Sequence, residues 1–138
     1  MRRAFAALFT ALLPLLAQAQ VIEAADAREI RAVVQAQLDA FQRDDATGAF
    51  SYATGGIRRT FGTPENFMAM VRSQYPAVYR PAKVVFEAPT RIAGDLVQPV
   101  RLTDAEGRQW LAIYSMLREH RAWRIAGCHL TRIARQET

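Results

Sequence analysis

Few side chains in this sequence could do chemistry. It contains two histidines, His120 and His129, and one cysteine, Cys128. If a two-residue turn at His120 joins antiparallel strands, His129 lies near Tyr114 on one sheet face, as the nearest approach to an acid and base pair. Without a carboxylate partner, a packed histidine is the simpler interpretation. A lone thiol makes no internal disulfide, and we expect Cys128 to be buried and inert.

Two pairs of charged neighbours are further candidates. Asp44 and Asp45 could act as a general base and its partner, but adjacent acids better suit a helix end followed by a turn. Arg58 and Arg59 follow Gly55-Gly56 at a predicted helix N-terminus, whose backbone N–H groups attract anions. A solvated or salt-bridged arginine pair is the simpler alternative. We therefore assign no catalytic residue, no metal site and no cofactor.

Aromatic residues that carry a polar atom are more numerous than a small core requires. Each buried hydroxyl or indole N–H must find a partner, so we expect part of the set to line a pocket. The alternative is a set of core aromatics with polar tips at the surface. A ligand would be small and largely apolar, with an anionic end near Arg58 or Arg80. The predicted ligand-binding residues are Tyr52, Arg58, Phe61, Tyr75, Tyr79, Arg80, Trp110, Tyr114, Trp123 and His129.

The helices that position these residues follow from hydrophobic periodicity. A first helix is predicted over residues 26–43, with Asp26 as its N-cap. Its apolar stripe consists of Ile30, Val33, Val34, Leu38 and Phe41. Thr63-Pro64-Glu65 is typical of a helix start, and this second long helix ends at Pro76. Two short helical segments are expected between them.

Beyond Pro81 the apolar period changes from about 3.6 to about 2, which predicts strands. Turn residues divide this region into four strands, over residues 83–88, 96–103, 108–117 and 122–133. Their short connections imply antiparallel hairpins. The predicted fold is therefore α+β, with N-terminal helices packed on a curved four-stranded antiparallel sheet.

The register of the last two strands follows from the predicted two-residue turn. It pairs Met116 with Ile125, Tyr114 with Gly127 and Ala112 with His129. One face then carries Trp110, Tyr114, Met116, Trp123, Ile125 and His129, and the other carries Leu111, Ile113, Leu117, Ala126, Cys128 and Leu130. We place the pocket on the first face, between the first helix and residues 61–75, where Gly127 would let the Tyr114 ring lie over the backbone.

Both predicted faces are apolar, but the helices of so short a chain cover only one. We predict a homodimer through the face that carries Leu111, Ile113 and Leu117. The alternative is a terminal segment folded over that face.

The first residues have the pattern of a signal peptide. Arg2-Arg3 is a positive n-region, residues 4–16 are apolar, and Ala17-Gln18-Ala19 is a cleavage site. The apolar stretch is too short for a bilayer span, so we expect no stable membrane anchor and a periplasmic or secreted chain that begins at Gln20. Residues 20–138 then form one domain, whose 16 basic and 13 acidic residues leave a charge of +3. This scattered excess predicts no nucleic-acid binding.

Four stretches carry a resemblance to a known family: residues 37–46 (QLDAFQRDDA), 56–65 (GIRRTFGTPE), 75–81 (YPAVYRP) and 123–128 (WRIAGC). In this order they resemble exported bacterial proteins catalogued as domain of unknown function 4864, over nearly all of the mature chain. The resemblance implies the cone-shaped α+β fold of nuclear transport factor two, with helices in the concave side of a bent sheet. It implies no activity, because that fold hosts enzymes and binding modules alike.

Two kinds of function remain open from the sequence. An exported small-ligand-binding or protein-interaction module requires only shape, and the lack of a paired acid and base favours it. The alternative is a cone-pocket enzyme doing acid/base chemistry on a small hydrophobic substrate. Such an enzyme requires a buried carboxylate or histidine with a shifted pKa inside the pocket.

Overall fold

A computed structural model describes residues 21–135, in which five helices precede five strands. The predicted signal peptide lies outside the described residues. The helices are α1 (Ala24–Gln42), α2 (Ala46–Ser51), α3 (Gly55–Phe61), α4 (Pro64–Gln74) and α5 (Pro76–Tyr79). The strands are β1 (Lys83–Phe86), β2 (Thr90–Ile92), β3 (Asp95–Thr103), β4 (Gln109–Glu119) and β5 (Ala122–Ile133). Within these residues no helix has the length and apolar character needed to cross a bilayer.

Helix α1 buries most of the predicted apolar stripe, because its three- and four-residue spacing places the side chains on one side of the helix. The buried members are Ile30, Val34, Leu38 and Phe41. The helix begins two residues earlier than predicted, at Ala24, and Asp26 is not its N-cap. The Asp26 carboxylate instead accepts a hydrogen bond from the Trp123 indole at 3.1 Å and pairs with Arg118. A tertiary contact thus uses the carboxylate that the local pattern assigns to a cap.

Helix α4 begins and ends as predicted. The Thr63 hydroxyl accepts a hydrogen bond from the Asn66 backbone N–H at 3.1 Å, and Pro64 occupies the first turn. Tyr75 closes the helix and Pro76 begins α5. The two short segments expected before it are α2 and α3. These boundaries follow local chemistry, since caps and prolines act on adjacent backbone.

The sheet is antiparallel, in the order β1-β3-β4-β5, with β2 paired to β3 beside β1. It has five strands, so the four-stranded prediction is wrong. The strand predicted over residues 83–88 ends at Phe86, and the edge resumes as β2 after Pro89. Proline has no N–H to donate, which confines it to edges and interruptions of a ladder. Positive φ angles at Ala93 (50°) and Gly94 (86°) then turn the chain into β3.

The hairpin between β4 and β5 contains a bulge. His120 and Arg121 have φ angles of 47° and 70°, which suit the predicted two-residue turn. Met116 pairs with Ile125 as predicted, but the register then shifts by one residue at Ala126. Beyond the shift the pairs are Ser115 with Gly127, Tyr114 with Cys128, Ala112 with Leu130 and Ile113 with His129. The predicted pairs of Tyr114 with Gly127 and Ala112 with His129 are therefore wrong.

One inserted residue moves every later side chain of a strand to the opposite face. Cys128 and Leu130 consequently join Tyr114 on the inner face, against which the helices pack. His129 lies on the outer face opposite Ile113 and is exposed. Compared with the prediction, His129 therefore moves to the outer face, and Cys128 and Leu130 move to the inner face.

The core lies between the helices and the inner face. Three phenylalanine rings surround Phe67, with centroids 5.6 to 6.1 Å away, from Phe41, Phe50 and Phe61. On the outer face, Leu111 and Ile113 are half-buried and Leu117 is 55 % exposed. These three residues are not packed against the main cluster.

Candidate functional site

A cavity of about 400 Å³ lies between α1, α3, α4 and the inner face of β4 and β5. Most of its lining is apolar or aromatic: Phe41, Ala53, Ile57, Phe61, Phe67, Met70, Val71, Val78, Ile125, Ala126 and Gly127. The remaining lining residues carry uncharged polar groups: Gln37, Gln74, Tyr75, Tyr114 and Cys128. The volume falls within the roughly 300–1,000 Å³ of small-molecule sites in proteins.

Helical spacing and a β-bulge bring the lining residues together. On α1, Gln37 and Phe41 are four residues apart and share one side of the helix, and the same rule applies to Phe67 and Val71 on α4. On the sheet, the bulge places the Cys128 side chain beside Tyr114. The cavity therefore depends on helix spacing that the sequence displays and on a bulge that it does not.

Tyr114 is the central polar residue of the cavity. It is 1 % exposed, and its hydroxyl has no hydrogen-bond partner among the described residues. The Cys128 thiol is its polar neighbour, and each of the two groups shifts the pKa of the other. Burial raises the pKa of Tyr114 well above its usual value, and the neighbouring Cys128 adds to this rise. Tyr114 is therefore a neutral phenol at neutral pH.

Cys128 faces the same space. The residue is half-buried and packs against the core on the inner face. Burial raises the pKa of the Cys128 thiol to about 12, although the nearby Tyr114 hydroxyl lowers it in part. The thiol is therefore protonated at neutral pH and a poor nucleophile, as its expected inert character requires.

Gln37 is the other buried polar residue of the lining. Its amide nitrogen donates to the Ala49 carbonyl at 3.1 Å, which ties α1 to α2. The carbonyl oxygen of the same side chain is then the atom left to accept a hydrogen bond. Gln37 was not predicted as a site residue. The sequence feature that could have indicated it is a polar residue on the apolar side of α1, one turn from Val34 and Phe41.

A second hollow, which we call the side groove, has a volume of about 750 Å³ and adjoins the cavity. It lies between α5, the turn at residues 104–108 and the later part of β5. The two spaces share Gln74, Tyr75 and Cys128. Trp110 and Asp104 form one wall, where the Trp110 indole N–H donates to the Asp104 carboxylate at 3.0 Å.

Asp104 organises the turn between β3 and β4. Its carboxylate also accepts from the Arg108 guanidinium at 2.8 Å, the Arg108 backbone at 2.9 Å and the Glu106 backbone at 3.0 Å. Burial alone would raise the pKa of Asp104, but these hydrogen bonds and that from Trp110 outweigh it and hold the pKa well below its usual range. The carboxylate therefore acts as a structural acceptor that holds the turn together.

The acidic pair at the end of α1 has structural partners. Asp44, at a φ of 52°, accepts hydrogen bonds from the Tyr79 hydroxyl and from Arg80, the latter at 2.9 Å. The Tyr79 bond lowers the pKa of Asp44 and raises that of Tyr79. Asp45 accepts from the Gly48 backbone at 2.9 Å and caps α2. The interpretation of the pair as a helix end and turn is confirmed.

Arg80 binds other groups of its own chain. Besides Asp44, its guanidinium binds the Phe41 carbonyl at the end of α1 and lies 4.1 Å from the centre of the Tyr79 ring. It therefore satisfies carbonyl and carboxylate groups of its own chain.

The N-terminus of α3 also has an internal partner. The Gly55 backbone N–H donates to both carboxylate oxygens of Glu119, at 3.0 and 3.3 Å. The anion at this helix end is thus a side chain of the β4–β5 hairpin. Arg58 and Arg59 are exposed beside it and border a separate shallow hollow.

The ten predicted ligand-binding residues separate into three groups. Phe61, Tyr75 and Tyr114 line the cavity. Tyr75 again, with Tyr79, Arg80, Trp110 and His129, borders the side groove. Tyr52, Arg58 and Trp123 line neither space, because Tyr52 is joined to β5 through Ile125 and Trp123 lies against the start of α1. In the described part of the chain, no group of three His, Cys, Asp or Glu residues is placed to hold a metal ion.

Comparison with known proteins gives one match. No curated protein and no solved structure matches the chain. The profile of the family described as domain of unknown function (DUF4864) matches residues 23–138. That range contains every helix and strand of the described fold, together with the cavity. The chain therefore belongs to the DUF4864 family, as the four stretches of its sequence indicated.

Proposed function

We propose that this protein binds a small, largely apolar ligand in the cavity beneath Tyr114. The observation that carries the proposal is the Tyr114 hydroxyl, which is buried in the cavity wall without a partner among the described residues. Leaving a buried polar group unsatisfied costs about 1–3 kcal/mol, so such groups call for an explanation. A ligand that bonds the hydroxyl would recover this cost.

Binding is favoured over acid/base catalysis by the character of the lining. The described lining contains no Asp, Glu or His. Two of its titratable groups, Tyr114 and Cys128, have raised pKa values and stay protonated near neutral pH. A general acid or base works best with a pKa near the operating pH. A cone-pocket enzyme would therefore need a general acid or base that the described lining does not supply.

The outer sheet face supports a second proposal, a protein interaction in the form of a homodimer. Leu117 is largely exposed on this face, next to half-buried Leu111 and Ile113 on the same strand. An apolar strip of this kind on a sheet is typical of an interface, and a two-fold axis would bury it against its own copy.

We further infer a cone-shaped sheet like that of nuclear transport factor two, and an exported chain. The cone is supported by the packing of the helices on the inner face and by the bulge at Ala126, since bulges bend a strand. Export is supported by the signal-peptide pattern of residues 1–19. Intact-mass measurement of the exported protein is the test: a chain that begins at Gln20 agrees, and a mass that includes Met1 contradicts it.

Ligand screening tests the main proposal. A library of small apolar compounds is screened by ligand-observed NMR against the wild type, Tyr114→Phe and the control Tyr52→Phe, which removes a hydroxyl away from the cavity. We expect hits on the wild type and on Tyr52→Phe, and weaker binding to Tyr114→Phe. If no compound class binds the folded wild type, the proposal fails and the interaction module remains.

A further inference from the structure

We infer that the ligand of this cavity is uncharged and presents a hydrogen-bond acceptor, such as a carbonyl oxygen, to the Tyr114 hydroxyl. This inference rests on the proposed function and narrows its ligand class. It departs from the anionic end that the sequence suggested.

The described lining of the cavity is uncharged. Among the described lining residues none is Asp, Glu, His, Lys or Arg, and the polar atoms belong to two amides, two phenols and one thiol. Both the phenol of Tyr114 and the thiol of Cys128 are protonated at neutral pH. A charge moved from water into such surroundings loses its hydration without gaining a partner, which is far costlier than burying a neutral polar group.

The two arginines expected to receive an anion, Arg58 and Arg80, lie outside the cavity lining. The Arg80 guanidinium already binds the Asp44 carboxylate and the Phe41 carbonyl. Arg58 borders a different hollow, beside the helix end that Glu119 occupies. Neither side chain lines the cavity, so a carboxylate inside would find no cation in the described lining.

The polar group that fits the Tyr114 hydroxyl is a hydrogen-bond acceptor. A neutral phenol has one hydrogen to donate, and the thiol beside it is only a weak acceptor. The Tyr114 O–H is therefore the donor that still lacks a strong acceptor. A ligand carbonyl satisfies it, whereas a purely hydrocarbon ligand leaves it buried and unpaired.

The size of the cavity sets the size of the ligand. A dry apolar cavity of about 150 Å³ holds one benzene ring. A cavity of about 400 Å³ therefore has room for a bicyclic framework with a short substituent. Phe41, Phe61, Phe67 and Tyr75 provide flat walls for such rings, whose edges and faces pack well against aromatic side chains.

The test uses four naphthalene probes that share one framework. Acetylnaphthalene carries a neutral acceptor, isopropylnaphthalene is its apolar analogue, naphthoate is anionic, and naphthyltrimethylammonium is cationic. The cation is included because aromatic walls also attract quaternary ammonium groups. Dissociation constants are measured by protein-observed NMR titration for the wild type, Tyr114→Phe and Tyr52→Phe, with circular dichroism to verify that each variant is folded.

We expect acetylnaphthalene to bind the wild type best and to lose roughly three- to tenfold in affinity with Tyr114→Phe, the worth of one neutral hydrogen bond. Isopropylnaphthalene should bind wild type and Tyr114→Phe alike, and Tyr52→Phe should change neither. Tighter binding of naphthoate or the ammonium probe than of the ketone would overturn this inference but leave the proposed ligand site standing. An equal loss for the ketone and the hydrocarbon would overturn the acceptor role of the ligand. No binding by any probe, together with an empty library screen, would reject the site itself.

Discussion

Tyr114 lies directly opposite Cys128 across the β4–β5 ladder, and both side chains lie on the inner face of the sheet. The pair forms because Ala126 is an extra residue on β5, between the partners of Met116 and Ser115. A bulge of this kind redirects the side chains that follow it. It gives the cavity a protonated thiol in place of an imidazole, and it moves His129 to the solvent side.

The register predicts the effect of a side chain at Gly127. A Cβ built there meets no heavy atom within 4 Å, and its φ is not in the left-handed region. Glycine within a strand is destabilising by roughly 0.5–1 kcal/mol relative to alanine, because it loses more backbone entropy. We therefore expect Gly127→Ala to raise the free energy of unfolding by about that amount in urea denaturation.

Gly62 is the matched control for this substitution. It also has open space at its Cβ position, but its φ is +76°, in the left-handed region. Gly62→Ala should lower stability by about 1–2 kcal/mol through backbone strain alone. If Gly127→Ala were as damaging as Gly62→Ala, its side chain would meet a neighbour, as in the register with Tyr114 opposite Gly127.

Asp104 predicts a pH dependence of stability. Its pKa is lower in the folded protein than the roughly 3.9 of an unfolded aspartate, so the folded state favours the carboxylate. The resulting stabilisation is present above about pH 4 and is lost as the pH falls further. We expect Asp104→Asn to be less stable than the wild type at neutral pH, with a difference that shrinks below about pH 4.

Thermal denaturation over a pH series measures this difference. Glu106→Gln is the control, because Glu106 is an exposed partner of Arg108 at 3.1 Å and such pairs contribute little. A gap between wild type and Asp104→Asn that stayed constant down to about pH 2 would show that the charge of Asp104 does not stabilise the turn.

Glu119 joins the hairpin to α3 through the Gly55 backbone N–H. We expect Glu119→Ala to cost about 1 kcal/mol, the typical worth of a carboxylate at a helix N-terminus. Glu119→Gln keeps one acceptor oxygen and should lose less. Without this bond the start of α3 should open more often, so the alanine variant should exchange its α3 amide hydrogens faster. The change would reach the cavity, because α3 supplies Ile57 and Phe61 to its lining. Equal stability of wild type and both variants would mean that the hydrogen bond between Gly55 and Glu119 contributes nothing.

The homodimer proposal predicts the effect of a charge on the outer face. Ile113→Lys should give monomers or aggregates, since a lysine there would be buried in an apolar interface. Ala69→Lys adds the same charge at an exposed position of α4 and should leave assembly unchanged. Sedimentation equilibrium decides between the outcomes. A wild type that stays monomeric at micromolar concentration and above contradicts the dimer.

Much of the fold could be predicted from local patterns. The stripe of α1, the Thr63 cap of α4, the stop at Pro76 and the tight turn at His120 all depend on residues within a few positions of one another. Helix spacing, capping and turn geometry act over this range, so the sequence displays them directly. The stretches at residues 37–46, 56–65, 75–81 and 123–128 also indicated the family whose profile matches the chain.

Only the tertiary structure decided which residues share the cavity. Both Cys128 and His129 suit either face of a strand, and no local residue announces a bulge at Ala126, because its cost and its benefit are set by packing against β4 and the helices. The same holds for Asp26, Asp44 and Glu119. The sequence determined that these carboxylates exist near turns and helix ends, but their partners are distant in the chain, and only the folded packing brings the two together.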